Sequence, residues 1–397
     1  MKQKIAIITY SLGGAGAERI AANLLNNLDR EKYDIHLVMM NTDIEYPIRE
    51  DQVIHYIEKS FRYEKEWLKF IKIPWLAFKF ARYCNKEKIS LVLAIMNRPN
   101  LIASMAKLFG IKAKVLISER CYTPYTYNKD SLTGKIKYWL LKWAYPKADA
   151  ILPNSMGTVE ALKNYYHIKS DYYVVKNPTD IGRIKKLMVE IPPVSIDDQV
   201  FKFIYVATFR EEKNQDLIVN AVAKIPGNHY KVIFVGKGST LQKVIEKVKR
   251  LGLDNRIQFI DFTGNPYMYM KRADCFILSS YSEGFPNVLI ESMACGLPII
   301  SVDCKTGPRE LLAPETPINT VVPDGSFEIA KYGILTAPAS IPSMVAAMNY
   351  ALQNREIMNA YKEIIVTKAN DFEIETVCQE FSAIFSSYLN KKIHAVG

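Results

Sequence analysis

Short, nearly continuous apolar runs alternate with longer amphipathic stretches along the chain. Before residue 180, the runs that read as strands are 4–10, 34–41, 89–96, 113–119 and 149–155. The stretches that read as helices are 17–28, 67–83, 99–109, 133–145 and 157–165. Buried strands that are each followed by a helix are typical of a parallel sheet covered on both faces. The pattern therefore predicts an α/β fold.

The same alternation starts again after residue 200. Strands are predicted at 201–208, 230–238, 256–261, 274–280 and 298–303, and helices near 214–224, 239–251, 265–272 and 287–295. Two such series predict two doubly wound domains, 1–180 and 181–370, followed by an amphipathic helical segment, 371–397. We place the linker within 178–200 because this stretch carries Pro192-Pro193 and Asp197-Asp198.

Charge is unevenly distributed between these two halves. Of the net charge of +11, residues 1–180 carry +10 (28 Lys/Arg against 18 Asp/Glu) and residues 181–397 carry +1 (24 against 23). The first half is therefore expected to meet an anionic partner. The six cysteines form no CxxC pair, and no apolar run is long enough to span a bilayer. We expect reduced thiols and a cytoplasmic protein.

Three glycines lie between the first strand and the first helix. Gly13, Gly14 and Gly16 would let the backbone and the helix N-terminus approach a phosphate. The G-G-x-G spacing, and a second strand that ends in Met40-Asn41 without an acidic residue, argue against a dinucleotide site. A tight strand-to-helix turn is the alternative.

The second domain repeats this arrangement with cations. Lys213 and Arg210 follow its first strand, at the sheet edge where open α/β folds bind ligands. A lysine there can hold a diphosphate as a point charge, although solvated lysines at helix starts are common.

Two glutamates flank a turn and a helix start near Asn287. Glu283 ends a strand and loop, and Glu291 lies inside the helix. We expect the backbone N–H groups of residues 286–288 to point to the same edge as Lys213. A carboxylate at Glu291 could accept two hydrogen bonds from a ribose diol. Complementing the helix dipole is the alternative for Glu291 alone.

The segment around these glutamates, SEGFPNVLIESMACGLPIISVD, resembles the E-x7-E signature of the retaining GT-B glycosyltransferases of family 4. SLGGAGAER resembles the family's N-terminal glycine loop, VATFREEKNQDLIVNA its phosphate segment and FVGKGSTL the next strand and loop. KTGPRELL and YGILTAPAS resemble its closing segments, so the resemblance covers nearly the whole chain.

This resemblance implies the GT-B fold: two Rossmann-like domains facing a cleft, with the C-terminal helix crossing back to the first domain. It implies an acceptor-binding first domain and a second domain that binds a nucleotide-sugar. UDP is preferred over GDP by family frequency only. The acceptor would be a glycan or a polyprenyl-linked glycan of bacterial surface polysaccharide or lipid-linked glycan synthesis. The nucleotide-sugar is a substrate, so no cofactor is expected.

Residue roles are implied in the same way. Glu291 would hold the ribose, Glu283 the donor sugar and Lys213 the diphosphate. The remaining implied donor contacts are Gly14, Gly236, Phe285, Pro286, Asn287 and Val288.

The chain departs from the family pattern at two places. The arginine that usually precedes the phosphate lysine is replaced by Thr208. Arg210 is the candidate for its phosphate role, and the sequence does not decide whether Arg210 replaces it. A histidine often follows the fourth strand, and here ISERCYTPY places Glu119 and Arg120 there. Relatives acting on lipid-linked oligosaccharides show similar segments, and we expect Arg120 to bind a phosphate of donor or acceptor.

The implied chemistry is cleavage of a sugar–phosphate bond, which puts negative charge on the leaving diphosphate. Lys213 and helix N-termini would stabilise that charge electrostatically. The sequence contains no D-x-D motif, so a metal-dependent mechanism is not expected. Retention of configuration is implied by the resemblance alone.

A basic aromatic region covers residues 59–147, with 19 Lys/Arg and five Asp/Glu. The segments 62–83 and 135–147 mix lysines with tryptophans, which is typical of helices lying on an anionic membrane. Lys69, Lys72 and Lys79 are the predicted membrane contacts, on the inner face of the plasma membrane. A core helix with solvated lysines is the alternative.

Three other functions are less well matched. A GT-B-form sugar-nucleotide epimerase is the nearest alternative, but it would need no acceptor groove. A nucleic-acid binder would need a recognisable module, and the near-neutral second half argues against it. The set of Glu283, Glu291 and Lys213 argues against an inactive scaffold. The transferred sugar, the acceptor, the linkage and the oligomeric state are not determined by these patterns.

Overall fold

The computed structural model describes residues 2–14, 16–59, 66–126, 131–196 and 199–390. The first part of the predicted basic segment, the Asp197-Asp198 pair and the last seven residues of the predicted C-terminal segment fall outside these ranges. The chain divides into two compact units at Pro178/Thr179, next to the predicted boundary, and the segment from Ile374 onward belongs to the first unit.

The first unit contains a six-stranded parallel sheet. Its strands are β1 Gln3–Thr9, β2 Tyr33–Met39, β3 Val53–Tyr56, β4 Leu91–Ile95, β5 Lys114–Ser118 and β6 Ala150–Ile151. The strand order is β3-β2-β1-β4-β5-β6, so the order reverses between β1 and β4. This is the doubly wound arrangement that the apolar runs predicted.

Helices connect these strands. They are α1 Gly16–Asn27, α2 Glu66–Ile71, α3 Ile73–Lys86, α4 Asn97–Ala106, α5 Thr123–Thr126, α6 Leu132–Ala144 and α7 Met156–Glu160. The predicted single helix 67–83 is two helices, because Pro74 stands in the first turn of α3 and has no amide hydrogen to extend the preceding helix. The predicted strand 149–155 pairs only at Ala150–Ile151, because Pro153 follows and cannot donate to the ladder.

The second unit contains a seven-stranded sheet, in the order β12-β13-β11-β10-β7-β8-β9. Its first elements are α8 Ile181–Leu187, β7 Phe201–Val206, α9 Gln215–Lys224, β8 Tyr230–Val235, α10 Leu241–Arg250, β9 Ile257–Ile260 and α11 Tyr267–Met270. They are followed by β10 Cys275–Leu278, α12 Asn287–Ala294, β11 Ile299–Val302, α13 Pro308–Leu312, β12 Phe327–Ala330, β13 Gly333–Thr336, α14 Ile341–Gln353 and α15 Arg355–Ala369. All neighbours are parallel except the hairpin β12–β13.

Two segments differ from the expected linker and tail. The stretch predicted as a linker contains α8, which starts where the Asp180 carboxylate accepts a hydrogen bond from the Arg183 amide. The last helix, α16 Ile374–Asn390, packs against α1 in the first unit, as predicted for a helix that crosses back.

Both faces of the first sheet are covered, because alternate residues of each strand enter different cores. Ala6 and Ile8 of β1 join the core formed with α3, α4 and α6. Ile5 and Ile7 join the core formed with α1 and α16. The fold class predicted from the continuous apolar strands is therefore confirmed. Among the described residues, no helix is long and apolar enough to cross a membrane.

Candidate functional site

The carboxyl edge of the second sheet brings Lys213 and Glu283 together. Lys213 follows β7 and Glu283 follows β10, which are neighbouring strands. The Lys213 Nζ lies 2.6 Å from Glu283 Oε1, and the two side chains are 23% and 11% exposed. A half-buried ion pair, 70 positions apart in the sequence, thus stands at the edge where open α/β sheets bind ligands.

The backbone around Lys213 is fixed by several hydrogen bonds. The Tyr205 hydroxyl and the Ser279 hydroxyl both donate to the Lys213 carbonyl, at 3.0 and 2.9 Å. The amide of Tyr281 donates to the Glu212 carbonyl at 2.9 Å, which ties the loop after β10 to the loop after β7. Burial raises the pKa of Tyr205 well above its ordinary value, and the Glu283 charge raises it further. Tyr205 therefore stays a neutral donor, and the ion pair has a rigid base.

A second turn, residues 304–307, supports Glu283 from the other side. The Thr306 hydroxyl donates to the Glu283 carbonyl. Gly307 has φ of 91°, and a Cβ there would lie 2.5 Å from Pro286 Cδ and 3.1 Å from Phe285 Cα. The turn can lie this close only because residue 307 is glycine.

An ion network anchors this turn. The Arg309 side chain is 3% exposed, and its Nη2 lies 2.5 Å from Asp303 Oδ2 and 2.9 Å from Glu328 Oε2. Burial raises the pKa of the Asp303 carboxyl, and the hydrogen bonds and positive charge of Arg309 oppose this increase. The sequence predicted no role for Thr306, Gly307 or Arg309. The glycine and the arginine in KTGPRELL were the only sequence signal for such a role. Their partners are distant in the sequence, so the contacts could not be predicted from it.

Gly307→Ala is expected to raise the KM for the nucleotide-sugar that the resemblance implies, without abolishing folding. The added methyl would push the Gly284–Pro286 turn away from its position, and a positive φ disfavours alanine. Steady-state kinetics check this, with Gly252→Ala as the control, because Gly252 also has positive φ (64°) but open space around its Cβ position. Equal kinetics of the two variants would show that the turn does not position the site.

Helix α12 carries Glu291 in a buried position. Glu291 is 5% exposed. Burial raises the pKa of the Cys295 thiol to about 12, and the negative charge of Glu291 contributes to this increase. The helix starts at Asn287, after Pro286.

The expectation for the N–H groups of residues 286–288 needs a correction. Pro286 has no amide hydrogen, so it offers no donor, and its carbonyl already accepts from the Leu289 amide at 3.0 Å. Only the amides of Asn287 and Val288 belong to this predicted set of donors.

Gly236 and Arg210 lie on loops of the same sheet edge. Gly236 has φ of 148°, and a Cβ there would lie 2.1 Å from the Ala207 carbonyl oxygen, so the close approach of two strand ends requires glycine. The Arg210 side chain is 62% exposed, and its Nη1 lies 3.8 Å from Glu212 Oε1. Donor contacts by Gly236 and Arg210 remain predictions.

The glycine loop of the first unit is bordered by carboxylates. Gly14 has φ of 100°, and a Cβ there would lie 2.6 Å from Glu45 Oε2. Gly13 lies beside Asp43, and the Tyr46 hydroxyl donates to the Gly14 carbonyl at 2.9 Å. Gly16 begins α1. Negative side chains beside the loop disfavour an additional phosphate, so the geometry favours the tight-turn alternative.

The structure also disfavours a phosphate contact by Arg120, which is 7% exposed. Its guanidinium donates inward to Ser118 Oγ, the Val175 carbonyl and Asn177 Oδ1, at 2.6, 3.0 and 2.9 Å. The guanidinium also lies 5.7 Å from the ring centre of Phe381. Burial lowers the pKa of Arg120 to about 9. These contacts join β5 to the segment before Pro178, whereas the buried Nη2 has no hydrogen-bond partner among the described residues. A phosphate contact by Arg120 stays a prediction.

Glu119 is buried beside it. Its Oε2 accepts from the Tyr145 hydroxyl at 2.6 Å, and its Oε1 accepts from the Arg120 amide at 3.0 Å. Burial raises the pKa of Glu119 above its ordinary value of 4.5, and these hydrogen bonds oppose the shift.

This shift predicts a pH dependence of stability. The folded-state pKa of Glu119 is above the unfolded value, so its contribution favours folding most at acid pH and is lost as pH rises through the folded pKa. Wild type should therefore lose unfolding free energy relative to Glu119→Gln as the pH rises above about 4.5. Urea unfolding over a pH series tests this, with the exposed Glu363→Gln as the control. A constant difference between wild type and Glu119→Gln would contradict it.

Two family models match successive parts of the chain. The model described as Glycosyltransferase Family 4 matches residues 14–183, and the model described as Glycosyl transferases group 1 matches residues 190–366. The gap between the two matches, residues 184–189, lies a few residues after the division between the compact units at Pro178/Thr179.

A curated relative and two solved structures match over nearly full length. N-acetylgalactosamine-N,N'-diacetylbacillosaminyl-diphospho-undecaprenol 4-alpha-N-acetylgalactosaminyltransferase of Campylobacter jejuni is 34% identical, with 94% of this chain and 96% of that protein covered. Sucrose-phosphate synthase from Thermosynechococcus elongatus has a TM-score of 0.78 at 18% identity, covering 97% of this chain and 99% of that one. Anabaena HepE in complex with UDP and glucose has a TM-score of 0.71 at 17% identity, covering 97% and 100%. The two structural matches show the fold.

Proposed function

This chain belongs to the family 4 glycosyltransferases, and we propose that it transfers an N-acetylhexosamine from a UDP-sugar to a glycan carried on a polyprenyl diphosphate. The second unit would bind the nucleotide-sugar and the first unit the acceptor. The observation that carries the proposal is the 34% identity, over 94% of this chain, to a Campylobacter jejuni transferase. That enzyme's name specifies an N-acetylgalactosamine transferred to an undecaprenyl-diphosphate-linked acceptor.

The donor site proposed for the second unit consists of Lys213, Glu283 and Glu291. Lys213 Nζ lies 2.6 Å from Glu283 Oε1. An incoming diphosphate would compete with the carboxylate for the ammonium group, because both are anions. Glu283, held through its own carbonyl by Thr306, would then be free to accept hydrogen bonds from sugar hydroxyls. Glu291 would accept the two ribose hydroxyls. UDP is supported by the HepE complex with UDP and glucose.

The reaction proposed at this site is metal-independent and retains the configuration at the transferred carbon. The sugar–phosphate bond breaks, and the diphosphate leaves with the bonding electrons. The acceptor oxygen bonds to the same face of the sugar, and the hydroxyl proton passes to the leaving phosphate oxygen. Lys213 stabilises the charge on the leaving group, which is the electrostatic task of a metal in other transferases. The α linkage in the relative's name supports retention from an α-configured donor.

An anionic membrane surface is the proposed location of the acceptor, on the inner face of the plasma membrane. The lysines predicted to contact it all have contacts within the first unit. Lys72 Nζ lies 3.2 Å from Glu58 Oε1, Lys79 Nζ donates to the Ile57 carbonyl at 2.7 Å, and Lys69 Nζ lies 5.3 Å from the ring centre of Tyr10. These three lysines would add positive charge near the membrane. Other side chains of the first unit would have to enter the membrane.

A transfer assay tests the proposed function. The purified protein is incubated with a polyprenyl-diphosphate oligosaccharide and, in turn, with UDP-N-acetylgalactosamine, UDP-N-acetylglucosamine, UDP-glucose and GDP-mannose. We expect an extended acceptor by mass spectrometry with one UDP-N-acetylhexosamine, an α linkage by NMR, and an unchanged rate in EDTA.

The same assay shows where the proposal would fail. Transfer from GDP-mannose alone would overturn the UDP assignment, and loss of activity in EDTA would overturn metal independence. Conversion of the UDP-sugar to an isomer without the acceptor would support the epimerase alternative, which gains no support from the relatives described above.

A further inference from the structure

Helix α6 has apolar side chains on two opposite faces. At 100° per residue, Tyr138 and Leu141 point in one direction and are buried in the core with β5 and α4, as is Tyr145 directly after the helix. Ile136, Leu140, Trp139 and Trp143 point in the opposite direction and line an open hollow with Lys135. A contiguous exposed apolar face of this kind commonly marks a site of interaction with a protein or a membrane, so the outer face is expected to have a partner.

The outer face exposes two tryptophans. Trp139 is 63% exposed, Trp143 is 47% exposed, and Ile136, one turn before Trp139, is 56% exposed. Each tryptophan ring has a lysine above it: Lys142 Nζ lies 5.3 Å from the ring centre of Trp139, and Lys147 Nζ lies 4.1 Å from that of Trp143. Exposed aromatic area is therefore combined with positive charge at the same place.

Charge on this helix has one sign. Residues 131–148 contain four lysines and no aspartate or glutamate. On the helical projection, Lys135 and Lys142 lie on one side of the outer apolar stripe and Lys137 on the other. A water-soluble partner could cover such a stripe. The stripe has lysines on both sides and no acidic residue, however, and this charge pattern complements a flat anionic surface.

We propose that the outer face of α6 (Ile136, Trp139, Leu140 and Trp143, with Lys135 and Lys142) inserts into the headgroup region of an anionic phospholipid bilayer. Tryptophan prefers this region because its ring is apolar and its N–H can stay hydrated. This inference deepens the proposed function, on which it rests, by naming the side chains that bring the first unit to a lipid-linked acceptor. It also replaces Lys69, Lys72 and Lys79 as the main anchor.

Helix α3, in the same helix layer of the first unit, has a related side chain arrangement. Trp75 is 57% exposed, and Lys79 Nζ lies 4.4 Å from its ring centre. α3, α4 and α6 share one core on one face of the sheet, so α3 and α6 both belong to the layer that would face the membrane.

Co-sedimentation with vesicles tests the proposal. Wild type is expected to bind vesicles of phosphatidylglycerol and phosphatidylcholine and to bind pure phosphatidylcholine vesicles much less. Trp139→Ala/Trp143→Ala should lower the partition coefficient by on the order of a hundredfold, since burying each large aromatic side chain is worth roughly a factor of ten. Lys135→Glu/Lys142→Glu should weaken binding to the anionic vesicles selectively.

Matched controls lie in the second unit. Ile191→Ala/Val321→Ala removes exposed apolar side chains, and Lys249→Glu/Arg250→Glu reverses exposed charges, both far from α6 in the sequence. These variants should bind vesicles as wild type does. The Tm of each variant verifies that it is folded. Because Trp139 and Trp143 are exposed, their replacement should change the Tm little.

Activity separates this inference from the proposed function. With a glycosyl diphosphate acceptor on a short, water-soluble lipid, the α6 variants should keep the wild-type rate, and with the full-length lipid in vesicles they should lose it. Wild type that does not bind anionic vesicles, or α6 variants that bind as wild type does, would overturn the inference without touching the transferase assignment. Sedimentation velocity could instead show a wild-type dimer that dissociates in the Trp139→Ala/Trp143→Ala variant. Together with no vesicle binding, this result would assign the outer face of α6 to a second copy of the chain and would also overturn the inference.

Discussion

Lys213→Ala is expected to lower kcat by about a hundredfold to a thousandfold, which is the effect of removing one preorganised group that stabilises developing negative charge. The ammonium of Lys213 stands at the carboxyl edge of the second sheet, paired with Glu283 at 2.6 Å. Initial rates at saturating UDP-sugar and acceptor measure the effect. Lys213→Arg keeps the charge and should recover part of the rate.

Two controls separate catalysis from stability. Lys224→Ala, an exposed lysine at the end of α9, should leave kcat unchanged. Removing Lys213 also leaves Glu283 without its cation, but the pair is partly exposed, so the loss should be smaller than the about 3–5 kcal/mol of a fully buried pair. Lys213→Ala/Glu283→Gln should recover Tm but not kcat. A double variant that recovers both would assign the pair a structural role only.

Glu291→Ala is expected to raise the Kd for UDP at least about a hundredfold. Two hydrogen bonds from ribose hydroxyls to a carboxylate are worth about 1.5–3 kcal/mol each, and about 1.4 kcal/mol is a factor of ten in Kd. Calorimetric titration with UDP, GDP, ADP and NAD measures the effect and identifies the nucleotide. We expect UDP to bind wild type and the other three to bind much less.

A modified ligand distinguishes this role from a helix-dipole role of Glu291. Wild type should bind 2',3'-dideoxy-UDP much less tightly than UDP, whereas Glu291→Ala should bind the two equally. Glu363→Ala, an exposed glutamate on α15, is the matched control and should bind UDP as wild type does. If Glu291→Ala still discriminates between the two nucleotides, Glu291 does not hold the ribose.

Local patterns were sufficient to predict most of the framework. The apolar runs at 4–10 and 201–208 are β1 and β7, because a strand buried on both faces must be apolar at consecutive positions. Spacing also placed Lys213 and Glu283 at one sheet edge, since the carboxyl ends of parallel strands lie at the same edge. The actual ion pair, however, depends on β7 and β10 being neighbours, which strand order decides and local periodicity does not.

Other expectations stay predictions, and for these a distant residue changes the environment of the predicted site. Arg120 was expected to bind a phosphate, and Val175 and Asn177 accept its hydrogen bonds from more than 50 positions away. Gly14 looked like a phosphate loop, but Glu45 lies beside it. A sequence pattern reports the residue type and its neighbours along the chain, whereas burial and charge at a site depend on neighbours in space.

The sequence by itself determined the two α/β units, the order of the elements around the site, the pairing of Glu283 with a following helix that carries Glu291, and the basic aromatic character of the first unit. These follow from short-range periodicity and spacing, which the local backbone geometry translates directly into strands, helices and their ends. Only the tertiary structure decided that Thr306 and Gly307 support Glu283, that Arg120 points inward, and that Trp139 and Trp143 remain exposed. Each of these depends on which segments pack together, because packing, and not residue type, decides which polar groups are satisfied internally and which apolar side chains still lack a partner.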